Sequence, residues 1–173
     1  MSNTDQVLRK SYKSRDDVQV GKFTVAILDT SNEGQFAMSA SANAGPIAGV
    51  ATESLIPDAT QDYSGGKYII PSGAAWPVGS IPSSINGKAV SFAVAPSIIR
   101  VIAGASIAIG QRVNIKATTV INSVNVMGSV KAVSETSGNV YEVGEALRAA
   151  TNPGDVIRVR LTQVLRPASN PAV

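Results

Sequence analysis

The sequence predicts an all-β protein, a barrel or sandwich of short strands, and three observations carry that expectation. Short apolar runs alternate with polar residues, most clearly in Val156-Ile157-Arg158-Val159-Arg160-Leu161-Thr162, which is the period-2 signature of a half-buried strand. Gly and Pro, 15 and 9 residues of 173, recur too often for a long helix to fit between them. Aromatics are only 5% of the chain and are offset by many Val, Ile and Ala, a mixture suited to thin strand-built layers.

Residues 1–17 read as an N-terminal arm. Arg9-Lys10-Ser11-Tyr12-Lys13-Ser14-Arg15 is polar and basic without helical periodicity, so in isolation it is expected to be flexible. Two readings stand: a frayed terminus, or a basic strap that orders on a partner's acidic surface through Arg9, Lys10, Tyr12, Lys13 and Arg15. Residues 18–164 form a single β-rich domain. Val18 to Leu28 predicts a strand with a bulge at Gly21, Asp29 to Gly34 a turn, and Gln35 to Ala40 the return strand of a first hairpin. Ile47-Ala48-Gly49-Val50-Ala51 follows a Gly-Pro break.

Residues 52–87 are a Pro/Gly-rich insertion without regular pattern, which often marks an interaction surface. Trp76, the single Trp, lies there; it is either a local core anchor or, if exposed, a loop contact. Strand patterns return at Ala89–Val94, Ile98–Ala103 and Arg112–Lys116, while Val120–Val126 reads as a strand or a β-rich loop. Val130–Val133 and Val140–Val143, with turn chemistry between them, read as a hairpin. Glu145–Ala150 has good helix formers but is closed by Thr151-Asn152-Pro153-Gly154, so it spans one or two helical turns at most, or ends a strand. In the last strand Arg158 and Arg160 share one face with Val156, and Ile157, Val159 and Leu161 share the other. Residues 165–173 read as a non-helical tail.

The chemistry available is narrow. With no Cys and no His, disulfides, thiolate metal sites, zinc hydrolases and His-dependent triads are excluded. Gly104 to Gly110 lacks the Lys and third Gly of a phosphate-cradling loop. Ser129 and Lys131, two apart on a strand, are a Ser-Lys arrangement, and an exposed polar face is the favoured reading of it. The carboxylate pairs Asp58/Asp62 and Glu142/Glu145 lack the aromatic surround of a sugar cleft. Asp16-Asp17 and Asp58/Asp62 lie in no twelve-residue calcium loop. No catalytic residue, cofactor-binding residue or metal ligand is assigned, and no enzymatic activity is expected.

Charge is unevenly spread. Residues 1–22 carry five basic and three acidic groups, residues 23–86 one and five, and residues 87–173 nine and four, so the three parts balance to +2, −4 and +5. Opposite-sign regions suit self-association or docking on a mixed-charge surface. The dense basic stripe with aromatic partners that a nucleic-acid binder shows is missing, so no direct nucleic-acid contact is expected. No apolar stretch follows the polar start Met1 to Gln6, and none reaches the roughly 18–20 residues of a spanning helix. No membrane partner is therefore expected, and synthesis in the cytoplasm is.

Four phrases carry a resemblance by their order: Ile47-Ala48-Gly49-Val50-Ala51, Ile109-Gly110-Gln111-Arg112-Val113, Val143-Gly144-Glu145-Ala146-Leu147, and Gly154-Asp155-Val156-Ile157-Arg158-Val159-Arg160-Leu161. Together they resemble the capsid decoration, or cement, proteins of tailed bacteriophages, over residues 18–51 and 88–162. The resemblance implies a small β-barrel or β-tulip, a homotrimer, and a place on the capsid exterior of the virion. There such proteins clamp neighbouring major capsid protein subunits against internal DNA pressure. The shell contact would fall to the N-terminal arm, where the family pattern is too loose to transfer residue by residue. For Arg158 and Arg160 two readings stand: salt bridges to Glu142 or to a trimer neighbour, or a solvated face. Two other readings stand beside this one: another virion subunit (tail tube, head completion or fibre base), and a carbohydrate-binding or carbohydrate-acting β domain.

Overall fold

The computed structural model describes residues 7–15, 20–39, 41–53, 89–121 and 124–167. The all-β expectation holds: twelve strands and no helix occur among these residues. The strands are β1 (Leu8–Ser14), β2 (Val25–Leu28), β3 (Gln35–Ala37), β4 (Ile47–Ala51), β5 (Ala89–Val94), β6 (Ile98–Ile102), β7 (Arg112–Ile115), β8 (Thr119–Ile121), β9 (Val124–Val126), β10 (Val130–Ala132), β11 (Asn139–Ala146) and β12 (Val156–Pro167). The first five close a barrel in the order β1-β3-β2-β4-β5. A second sheet has the order β10-β7-β11-β12-β6, and β8 and β9 form a separate hairpin.

One wall of the barrel, β2-β4-β5, is apolar on both faces, and this joins the two sheets. Ala26, Ala48, Ala51, Val90 and Phe92 line the barrel interior, where Phe36 meets Phe92 edge-on at 4.8 Å between ring centroids. Val25, Val50 and Ala93 from the same strands point outward and pack with Val101, Val113, Ile115, Val143, Ile157, Val159 and Leu161 of the second sheet. An ordinary strand of five residues puts alternate residues on opposite faces. In β4 both Ile47 and Val50 face the second sheet, because the register with β2 slips by one residue between Ile47 and Gly49. Gly49 permits this slip: its φ is +149°, and a Cβ there would meet the Ala93 carbonyl oxygen at 2.5 Å.

Residues 8–14 are not a free arm. They form β1, paired antiparallel with β5 from Leu8↔Val94 to Lys13↔Ala89 and parallel with β3 at Lys13↔Gln35 and Ser14↔Phe36. This strand closes the barrel. It lacks a hydrophobic stripe because only Tyr12 and Ser14 turn inward, Tyr12 against Phe92 at 6.0 Å between centroids and Ser14 fully buried. Residues 1–6 and 16–19 lie outside the described residues.

Three further expectations need correction. The predicted strand from Val18 is shorter: residues 21–23 form a turn, with Phe23 at φ +71° and the Thr24 hydroxyl donating to the Gly21 carbonyl at 2.6 Å. The predicted hairpin of β10 with β11 does not form, because β7 lies between them and pairs with both. Of the two readings of Glu145–Ala150, the strand end holds: Glu145 and Ala146 end β11. Residues 165–167, read as tail, extend β12, where Leu165, Arg166 and Pro167 pair with Tyr141, Val140 and Asn139. The first hairpin (β2–β3) and the last (β11–β12) are as expected. So is the Pro-Gly turn, in which Asp155 Oδ2 accepts from the backbone N–H groups of Thr151 and Asn152 at 2.8 and 2.9 Å. The insertion at 52–87 lies outside the described residues apart from residues 52 and 53.

Three outcomes follow from the barrel. Tyr12→Ala strips β1 of its main inward anchor and should lower stability by about 2 kcal/mol. Removing residues 1–14 should give an unfolded or aggregating chain, measured by circular dichroism and thermal melting. Gly49→Ala should cost about 3 kcal/mol, the sum of a backbone conformation hostile to L side chains and a carbonyl clash, read from the denaturant midpoint.

Candidate functional site

The inner face of the second sheet is committed to the barrel wall, so its polar residues gather on the outer face. Register places them in rows. Lys131, Asn114, Glu142 and Val164 are successive cross-strand neighbours on β10, β7, β11 and β12. Arg112, Glu145, Arg160 and Ile98 form a second row on β7, β11, β12 and β6. In the next row Arg158 stands directly opposite Arg100 on the edge strand β6.

A bulge makes this arrangement possible. Glu142 and Glu145 are three residues apart and would point to opposite faces of a regular strand. Between them β11 has one residue more than β7, since Glu142 pairs with Asn114, Gly144 with Val113 and Glu145 with Arg112. Both carboxylates therefore point outward. Gly144 sits at the bulge because the Arg160 carbonyl oxygen passes 2.1 Å from where its Cβ would be. On β12 a matching irregularity falls near Gln163, whose φ is +50° and whose side-chain oxygen accepts from the Ala95 N–H at 2.6 Å.

The carboxylates on this face are held in different ways. Glu142 is almost fully buried beneath longer side chains. The Thr162 hydroxyl donates to its Oε1 at 2.8 Å, and its Oε2 lies 3.3 Å from Arg166 Nε and 3.6 Å from an Arg112 guanidinium nitrogen. These two approaches lie within ion-pair distance without hydrogen-bond alignment at Oε2. Two guanidinium groups at that distance offset the burial of one carboxylate. Glu145 pairs with Arg160 at 3.5 Å in the open, an arrangement worth under about 1 kcal/mol.

Glu135 reaches the face from the loop after β10. Partial burial pushes its pKa up, but donation from Lys131 Nζ at 2.7 Å, the dipole of the nearby Asn114 amide, and donation from the backbone N–H groups of Glu135 and Ser134 outweigh this and take it from 4.5 down to about 2. The Asn114 amide is fully buried and makes no aligned hydrogen bond of its own among the described residues, so it acts on Glu135 as a close dipole. Altogether the outer face carries Arg100, Arg112, Lys131, Arg158, Arg160 and Arg166 against Glu135, Glu142 and Glu145. This face accounts for most of the basic excess of residues 87–173.

The residues singled out by sequence divide into groups. Arg158 and Arg160 lie on this face, exposed as their alternation predicts; Arg160 pairs with Glu145, not Glu142. Arg9, Lys10 and Lys13 are exposed on β1, on the barrel. Arg15 follows β1 and lies 3.9 Å from Asp29. Tyr12 is spent on the barrel core. Trp76, Asp58, Asp62, Asp16 and Asp17 lie outside the described residues. Ser129 and Lys131 do not meet: the buried Ser129 hydroxyl shares a 2.7 Å hydrogen bond with Thr119, while Lys131 serves Glu135 and Ser134. Among the described residues no cluster of three metal-ligating side chains occurs, and no helix is long and apolar enough to cross a membrane. Sequence reasoning missed Arg100, Arg112 and Arg166: Arg100 and Arg166 are lone basic residues among apolar ones, and Arg112 is the polar member of an alternating strand, so each is an outward position.

Protonation of Glu135 should be visible in stability. Its pKa is lower in the folded state than the ordinary 4.5, so between those values the unfolded chain binds more protons and stability falls as pH drops. Its contribution should be complete above pH 4.5 and lost on approach to about pH 2. Thermal midpoints of the wild type and Glu135→Gln, compared at pH 5 and near pH 2, should differ most at the higher pH.

No protein family matches the chain, and no curated protein matches it. Among solved structures it is similar to the N base of the head fiber gp8.5 of bacteriophage phi29, with a TM-score of 0.48 and 13% identity over 91% of this chain and 96% of that one. No function is transferred at that level of likeness.

Proposed function

We propose that the chain is a structural virion subunit that decorates the outside of a phage capsid and clamps neighbouring shell subunits. The observation that supports this most is the outer face of the second sheet. It is a rigid mosaic of six cations and three carboxylates, backed by a wall buried on both sides. A surface that must resist force without moving needs side chains mounted on paired strands rather than on loops. Modest contacts suffice when many copies share one lattice. The phrases that resemble decoration proteins fall on β4, β7, β11 and β12, the strands that build this wall and this face. They supply scaffold, and the charged side chains between them supply contact. Assembly as a trimer rests on that resemblance alone.

This reading differs from the strap in where it puts the contact. Residues 8–14 are engaged in barrel closure, so their exposed cations are a secondary surface and the second sheet is the docking face. Quantified gels of purified virions should show a copy number approaching that of the shell protein. Rebinding to heads that lack the protein should weaken as salt is raised. A few copies per particle would instead mean a connector, tail-tube or fibre-base position and would reject decoration.

A further inference from the structure

The Asn114 side chain is a polar group that the fold buries and leaves unused. It belongs to the outer face of the second sheet yet is fully buried, and neither Nδ2 nor Oδ1 makes an aligned hydrogen bond among the described residues. Such a group costs stability, and its persistence asks for an explanation. Its register neighbours are Lys131 on β10 and Glu142 on β11. Side chains of directly paired residues on one face of a sheet lie close enough to interact, so the Lys131 chain passes alongside the amide.

Lys131 does not extend into solvent. Its side chain is 20% exposed, and Nζ donates to Glu135 Oε1 at 2.7 Å and to Ser134 Oγ at 2.9 Å. The Glu135 carboxylate in turn lies close enough to the Asn114 amide to feel its dipole. One carboxylate therefore touches the amine and stands beside the amide. A nucleophilic nitrogen, a carbonyl carbon shielded from water and a carboxylate that can carry protons between two nitrogens are the parts needed to join a lysine to an asparagine. The place also suits a covalent tie. At three residues β10 is the shortest strand of the second sheet and lies at its edge, held by its pairing with β7 and by one bridge from Val130 to Ala103.

We propose that Lys131 Nζ and Asn114 Cγ form an intramolecular isopeptide bond, with Glu135 as the proton carrier, and that this bond ties β10 covalently to β7. The carboxylate takes one proton from the Lys131 ammonium, and the freed amine adds to Cγ. A second proton passes from the same nitrogen to Nδ2, and the Cγ–Nδ2 bond breaks. The ammonia released takes the first proton back from Glu135 and leaves as ammonium. The carboxylate is regenerated, nothing is oxidised or reduced, and no co-reactant is consumed. The first transfer is uphill, because the ion pair favours both charged forms. The reaction is therefore slow, but escape of ammonia drives it forward and each chain undergoes it once. The bond is a property of this chain alone and does not rest on the capsid reading, although it would fix the short edge strand of the proposed docking face. The acid sensitivity assigned to Glu135 belongs to the chain before reaction, since the bond consumes the Lys131 charge.

The test is intact mass spectrometry of the purified full-length protein after prolonged incubation at neutral pH. The wild type should weigh less than its sequence by one ammonia, about 17 Da, and proteolysis should release a branched peptide joining the Lys131 and Asn114 segments. Glu135→Gln, which keeps the shape and loses the proton carrier, should react at least about tenfold more slowly. Lys131→Arg, which keeps the charge but has no titratable amine, should retain its full mass. Thermal melting checks that both variants fold, and the branched peptide of the wild type decides the matter if either does not. Asn86-Gly87 can lose the same mass by closing to a succinimide, but hydroxylamine cleaves the chain there and leaves an isopeptide intact. Wild-type protein that stays at full mass, a loss that persists in Lys131→Arg, or a loss mapped to Asn86 overturns the bond. Head binding by chains of full mass leaves decoration standing without the bond, whereas reacted chains that do not bind heads overturn decoration and leave the bond.

Discussion

The wall β2-β4-β5 is the constraint from which the rest of the structure follows. A strand buried on both faces must be apolar on both, and it leaves no room for a charged side chain on either. Val25, Val50 and Ala93 look one way and Ala26, Ala51 and Phe92 the other. Two consequences are immediate. The barrel must close with the polar strand β1, because its apolar strands are committed to the wall. The second sheet must bury one face completely, so every charge it carries goes to the other.

That segregation explains how a chain with few charged residues builds a dense charge mosaic. Residues 98–167 alternate inward Val, Ile and Leu with outward Arg, Lys and Glu, and the bulge at Gly144 rescues the one place where the alternation would have failed. Without it, Glu145 and everything beyond would switch faces, taking Val143 or Ala146 out of the core. The buried Glu142 is the cost of packing this face tightly, and Arg112, Arg166 and Thr162 are what offset it. The face is stiff for the same reason that the core is full. Stiffness suits a protein whose proposed work is to hold a lattice rather than to turn over a substrate.

Legibility in the sequence tracked locality. The β12 pattern is readable because Arg158 and Arg160 face water while Ile157, Val159 and Leu161 face the core, which imposes a period of two on five consecutive residues. The Asn152 to Asp155 turn was readable because its hydrogen bonds close within four residues. By contrast β1 read as an arm because its strand status depends on the open edge of β5, some 80 residues away in the chain. The hairpin expected between β10 and β11 failed for a related reason: turn chemistry at residues 134–139 cannot register that β7 has already taken both neighbouring edges. Arg100 and Arg112 are not legible as parts of a site because a single charge on a strand has no partner until register supplies one.

By itself, the sequence determined the strand-built class, the absence of Cys and His chemistry, the closing β11–β12 hairpin and the outward direction of Arg158 and Arg160. Each of these is set by residue type and by spacings of a few residues. Only the tertiary structure decided that the basic segment at residues 8–14 closes a barrel, that Glu142 is buried between two guanidinium groups, and that Arg158 stands opposite Arg100. Those outcomes depend on which strand edges meet. Strand pairing joins residues far apart in the chain through backbone groups that are alike at every position, so side-chain pattern alone does not encode it.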